Sequence, residues 1–225
     1  MHTNLTKSIE DYLKAVYELS NQGKRASTTE LAAYLSVTPA SVTGMIKKLS
    51  TTEPPLVEYR KHHGVVLTDA GEKVALETIR HHRLLELFLH QILDYPWDEV
   101  HDEADRLEHV ISEKFERAIA SALGNPQHDP HGDPIPSFDL TLPEDTDLQL
   151  GELRPPQKGR VTRVRDTDAE LLRYLHGLGV VPEAEVKVLS YSEFDGNLEI
   201  KVAGTAKPIV LGPRISSQIY IDLNS

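Results

Sequence analysis

Residues 101–110, HDEADRLEHV, hold seven charged or imidazole side chains and neither proline nor glycine, so they read as a helix whose charges need a reason. At about 100° per residue, His101, Asp105, Glu108 and His109 share one stripe. Val100, Ala104, Leu107 and Ile111 fall on a second side, and Asp102, Glu103 and Arg106 on a third. Carboxylates gathered at one place disfavour each other's ionisation unless a cation sits among them, and Arg106 points away from the stripe. The stripe is therefore a candidate cation site, with a solvated acidic face as the alternative for any single member. In the preceding segment, RHHRLLELFLHQIL, His82 and Glu86 stand one turn apart and can face one point; alone, such a pair reads equally as a surface hydrogen bond. Asp11, beside Glu10, adds a carboxylate that says little by itself. These donors are oxygen and imidazole only, a set that suits manganese(II) first and iron(II) next.

The elements that must position these groups follow from periodicity. Apolar residues from Leu5 to Ser20 recur at helical spacing. STTELAAYLS opens on a Ser/Thr start with a glutamate shortly after, and PASVTGMIKKLS opens on Pro39, which a first helical turn accepts. Two β-rich runs, Leu56–Tyr59 and Val65–Leu67, flank a basic turn. Thr68 is placed to cap a long helix over Asp69–Leu93, followed by helices from about Trp97 to His109 and from about Ser112 to Leu123. Residues 125–149 contain five prolines and read as a linker, in which HDPHGDP, with His128, Asp129, His131 and Asp133, is expected to be a solvated turn rather than a surface ion site. From Leu150 onward five short β runs and one helical insert, DTDAELLRYLHGLGV, predict a small barrel.

Composition bounds the function. The 225 residues carry a net charge of −11, yet residues 1–68 hold eight Lys and Arg against six Asp and Glu. Only that third can face phosphate without broad repulsion. The absence of cysteine excludes disulfides, thiolate zinc and iron–sulfur clusters. No apolar run is long enough to span a bilayer, and the N-terminus lacks signal-peptide order, so a cytoplasmic protein with no membrane partner is expected. His-Glu-x-x-His, Gly-x-Ser-x-Gly and phosphate-cradling glycine loops are missing. A ligand set without a nucleophile or base fits sensing better than turnover, so the chain is not expected to be an enzyme.

The motifs SIEDYLKAVYEL, VTPASVTGMIKKL, RHHRLLELFL, VHDEADRLEHVIS and DPHGDPIP, in that order across residues 5–136, resemble the diphtheria-toxin-repressor family of iron- and manganese-dependent transcriptional regulators. The stretch from LHGLGVVPEAEVKVLS to QIYIDL looks like the FeoA-like small β-barrel of its three-domain members. The resemblance implies a mainly α fold with a small β part. A winged helix-turn-helix DNA-binding domain spans 1–70, a helical metal-binding and dimerisation domain 71–124, a proline-rich linker 125–149 and the FeoA-like barrel 150–225. It implies a primary ion held by Asp11, Asp105, Glu108 and His109, and an ancillary ion held by His82, Glu86 and His101, completed by Asp168 or Glu170 of the barrel. Iron-type members place Met and Cys where this chain has Asp11 and Asp105, which moves the expectation to manganese(II), with iron(II) as the alternative. Short manganese-type members carry a Glu where Lys14 stands here, so two separate ion sites per chain are expected rather than a close pair.

Residues 28–49 then read as the helix-turn-helix and 56–67 as its wing. Thr38, Pro39, Ser41 and Thr43 stand at the start of the recognition helix, where base edges and phosphates are met. Lys47 and Lys48 are better placed for phosphate, and Arg60, Lys61, His62 and His63 at the wing tip for backbone or minor groove. The implied partner is a palindromic double-stranded DNA operator bound by a homodimer, and the implied role a manganese-activated repressor of metal-uptake genes. The competing reading is a winged-helix regulator that senses iron or another ligand.

Overall fold

A computed structural model describes residues 5–20, 24–143, 147–165 and 168–223. The chain divides into two compact units. The first comprises Met1–His82, Glu108–Ile111 and Pro136–Thr141; the second comprises Arg83–Leu107, Ser112–Ile135 and Leu142–Ser225.

The first unit is built on helices α1 (Lys7–Leu19), α2 (Thr28–Tyr34) and α3 (Pro39–Leu49), the hairpin β1 (Val57–Arg60) and β2 (Gly64–Leu67), and the start of α4 (Asp69–Leu93). Local chemistry sets each start. Ser27 and Glu30 form a reciprocal capping box on α2, and Thr38 caps α3 ahead of Pro39 in its first turn. Thr68 Oγ1 accepts from the Gly71 amide at 3.2 Å at the start of α4. One core joins these elements, with Leu13, Val16, Leu31, Val42, Ile46, Leu49 and Val65 buried. Each such aliphatic side chain contributes about 1.5–3 kcal/mol on burial. The hairpin is antiparallel, with Val57 opposite Leu67 and Arg60 opposite Gly64. Gly64, at φ +88°, has room for no side chain, because a Cβ there would meet the Ala26 carbonyl oxygen at 2.5 Å.

The second unit contains the rest of α4, α5 (Val100–Leu107), α6 (Glu113–Ala122) and a six-stranded antiparallel sheet. Its strands are β3 (Leu148–Gln149), β4 (Lys158–Val164), β5 (Glu185–Tyr191), β6 (Leu198–Val202), β7 (Ile209–Leu211) and β8 (Ile219–Asp222), in the order β3-β8-β4-β5-β6-β7. Helices α7 (Ala169–Gly177) and α8 (Pro213–Ser216) are inserted between strands. Leu172, Leu175, Val161, Val186, Ile200 and Ile221 fill its core.

Three expectations are corrected. The sheet is open: among the described residues β3 and β7 are edges, and no ladder closes the barrel. The charged helix is shorter than its periodicity suggests. It begins at Val100 and ends at Leu107, leaving Glu108 and His109 in a turn. The Glu108 carbonyl accepts from His81 Nδ1 at 3.1 Å instead of from a continuing helix. Finally, HDPHGDP is not solvated, since Asp129 is 6% exposed and His131 is fully buried. Asp129 Oδ1 accepts from the amides of His131 (2.8 Å) and Asp133 (2.9 Å), and the His131 carbonyl accepts from the Val164 amide at 2.9 Å. Gly132, at φ +91°, lies against the Thr162 carbonyl, where a Cβ would collide. Proline, glycine and aspartate here shape a strap docked on β4.

Candidate metal centres and nucleic-acid surface

In the first unit, Asp11 on α1 and Glu108 and His109 in the turn after α5 each bring one donor atom within 4.8 Å of the others. Asp11 reaches this point because its neighbours Ile9, Tyr12 and Leu13 are buried on the other side of α1. His109 Nε2 lies 2.8 Å from Asp11 Oδ1 and 3.1 Å from Glu108 Oε1, and Nδ1 lies 2.5 Å from Glu10 Oε2. Glu10 was not expected in the site; its only signal was adjacency to Asp11.

Two nitrogen groups meet the buried Glu108. Its Oε2 lies 2.9 Å from Lys14 Nζ and 2.6 Å from His82 Nδ1. Burial alone would raise its pKa, but hydrogen bonds from His109 and His82 and the Lys14 charge outweigh it and hold the carboxyl at about 2. Burial would likewise lower the His109 pKa, yet Asp11, Glu108 and Glu10 raise it to about 10. A cluster that retains a proton so firmly when no ion is bound is suited to a cation.

In the second unit a different set surrounds Glu86. Its Oε1 lies 3.0 Å from His101 Nδ1 and its Oε2 3.9 Å from His131 Nδ1. Glu86, Asp129 and His131, all buried, can each offer a donor atom within 4.8 Å of the others. His131 Nε2 lies 2.8 Å from the Trp97 carbonyl, which can only accept, so Nε2 donates and Nδ1 is left turned towards Glu86. That Nδ1 is buried and has no hydrogen-bond partner among the described residues. A buried imidazole nitrogen grouped with two buried carboxylates fits a divalent cation.

Three further carboxylates were expected as donors. Asp105 stands one turn after His101, its Oδ2 3.9 Å from His101 Nε2. Asp168 is exposed and caps α7, accepting from the Glu170 and Leu171 amides at 3.0 and 3.2 Å. Glu170 is exposed, and neither joins a group of three or more donors among the described residues. Asp129 and His131 are the donors that the solvated-turn expectation set aside; their signal was the pairing of His and Asp with prolines in one short segment.

The surface expected to read nucleic acid is presented on one helix and one hairpin. Thr38, Pro39, Ser41, Lys47 and Lys48 are exposed on or beside α3, and Thr43 is half-buried. Thr38 Oγ1 accepts from the Ser41 amide at 3.2 Å, and Thr43 Oγ1 donates to the Pro39 carbonyl at 2.9 Å. Arg60, Lys61, His62 and His63 are exposed at the tip of the wing, with His62 at φ +68°.

Three family models match the chain: "Iron dependent repressor, N-terminal DNA binding domain" over residues 4–65, "Iron dependent repressor, metal binding and dimerisation domain" over 68–137, and "FeoA domain" over 148–223. The iron-dependent repressor IdeR of Mycobacterium tuberculosis is 31% identical over 196 residues, covering 82% of this chain and 84% of that protein. Among solved structures, a manganese-dependent transcriptional repressor in complex with manganese aligns with a TM-score of 0.88 at 37% identity, covering 95% of this chain and 98% of that one. ScaR with bound Cd²⁺ aligns with a TM-score of 0.81 at 35% identity and the same coverage.

Proposed function

Since the chain belongs to the iron-dependent repressor family, we propose that it is a manganese(II)-activated repressor of metal-uptake genes, a regulator and not an enzyme. It acts as a homodimer on a palindromic operator. The observation that carries this reading is the meeting of Asp11, on a helix of the DNA-reading unit, with Glu108 and His109, 97 and 98 positions away in sequence.

The primary ion is assigned to Asp11, Asp105, Glu108 and His109. A second ion is assigned to Glu86 and His101 with Asp129 and His131, in place of the carboxylates Asp168 and Glu170 expected from the sheet domain. His82 is assigned to the Glu108 cluster. Both sets consist of carboxylate oxygen and imidazole nitrogen, which supports manganese(II) over a thiolate-loving ion. A divalent ion supplies the charge that lets these carboxylates stay together. Asp11 then holds α1, and through the shared core α3, in the DNA-competent arrangement, favouring that state over the others. Recognition helices of a two-fold dimer would meet successive major grooves roughly 34 Å apart, or a multiple of it. Ile92 and Leu93, each 51% exposed, and Phe115, 48% exposed, support an apolar dimer surface in the helical domain.

The test is fluorescence anisotropy on a duplex selected by the protein from random sequence with manganese(II) present. Binding with manganese and at least tenfold weaker binding in chelator is expected. Equal affinity in the two conditions overturns the proposal.

A further inference from the structure

Lys14 is on the same face of α1 as Asp11, and its ammonium is not in solvent. Only 14% of its side chain is exposed, and Nζ lies 2.9 Å from Glu108 Oε2 and 3.1 Å from His82 Nδ1. Those two atoms are themselves 2.6 Å apart. An oxygen and a ring nitrogen that close on one point are what a divalent ion would use; here that point faces an ammonium.

We propose that Lys14 is a built-in counter-cation that competes with the divalent ion for Glu108 and so sets the metal concentration at which the cluster fills. This rests on the proposed ion at Asp11, Glu108 and His109. The reason is electrostatic. Glu10, Asp11 and Glu108 bring three carboxylates to one place, and a fixed positive charge beside them stabilises the ion-free state more than the loaded one. With Lys14 present, an incoming ion gains less, because part of the negative charge is already neutralised and Glu108 Oε2 is shared. Loading therefore needs a higher free metal concentration, which suits a sensor that must stay ion-free when manganese is scarce.

The experiment is manganese(II) binding by calorimetry and by the electron paramagnetic resonance signal of free manganese, on wild type, Lys14→Met and Lys14→Arg, with thermal melts in chelator. Lys14→Met keeps the chain length and removes the charge; Lys14→Gln serves if it does not fold. The neutral variant is expected to bind one ion at least tenfold more tightly and to melt lower than wild type without metal, a gap that closes on loading. Lys14→Arg should return affinity towards wild type. Unchanged or weaker manganese binding in both neutral variants overturns the role of Lys14. Wild-type protein that takes up no manganese overturns the underlying metal reading instead, so the two failures are separate.

Discussion

Glu10 Oε2 lies 2.5 Å from His109 Nδ1, which turns the other ring nitrogen towards Asp11 and Glu108. A carboxylate behind a ligating imidazole fixes its tautomer and raises its basicity, and losing such a partner costs about 10–100-fold in metal affinity. Glu10→Gln is therefore expected to weaken manganese binding at the first-unit cluster by about tenfold without changing the number of ions bound. Calorimetry checks both quantities; a lost ion would make Glu10 a direct ligand, and no change would remove it from the site.

Without metal, two groups give the stability a defined pH window. The Glu108 carboxyl is lowered from 4.5 to about 2, so its contribution is present above about 4.5 and lost as pH falls towards 2. The His109 imidazole is raised from 6.5 to about 10, so its contribution is present below about 6.5 and lost as pH rises through 10. The melting temperature in chelator should therefore fall between pH 6 and pH 10, and His109→Gln should flatten that decline. A wild-type melting temperature that holds steady or rises over this range contradicts the assignment.

The strap at 128–134 should govern one ion and not the other. His131→Ala removes a buried donor, and the number of manganese ions bound per chain should drop by one. Gly132→Ala drives a Cβ into the Thr162 carbonyl at φ +91° and should weaken the same ion while lowering the melting temperature. Inductively coupled plasma analysis after equilibrium dialysis counts the ions. Full stoichiometry in His131→Ala would exclude His131 as a ligand.

On the DNA side, Lys47 is exposed near the C-terminal end of α3, away from the helix start where base edges are read. Lys47→Ala should weaken binding to all duplexes alike and reduce the slope of log affinity against log salt by about one. An unchanged slope removes Lys47 from the phosphate contacts. Thr38→Ala should differ by also costing about 1 kcal/mol of stability, since its side chain caps α3.

Long-range periodicity made α4 readable to its end residues, and the capping chemistry of Ser27 and Thr68, with Pro39 in a first turn, marked three helix starts. The metal chemistry of the charged segment was visible because carboxylates and imidazoles recur at helical spacing. What the spacing could not convey is that the helix stops at Leu107, because the stop depends on a distant partner, His81. The same limit hid His131 and Asp129. A segment of five prolines looks like a linker from composition, and its burial comes from docking on β4 through contacts with Thr162 and Val164. Closure of the sheet was likewise beyond strand counting, since β3 and β7 end as edges by register.

The central claim is that the acidic cluster, not the fold alone, switches DNA binding. The most direct measurement is anisotropy of the selected operator with Glu108→Gln and Asp105→Ala beside wild type, each at saturating wild-type manganese(II), with circular dichroism to verify folding. Both variants are expected to stay folded and to bind the operator as weakly as wild type does in chelator. Metal-dependent binding at wild-type manganese concentration in either variant would contradict the assignment of that residue, and in both would contradict the account.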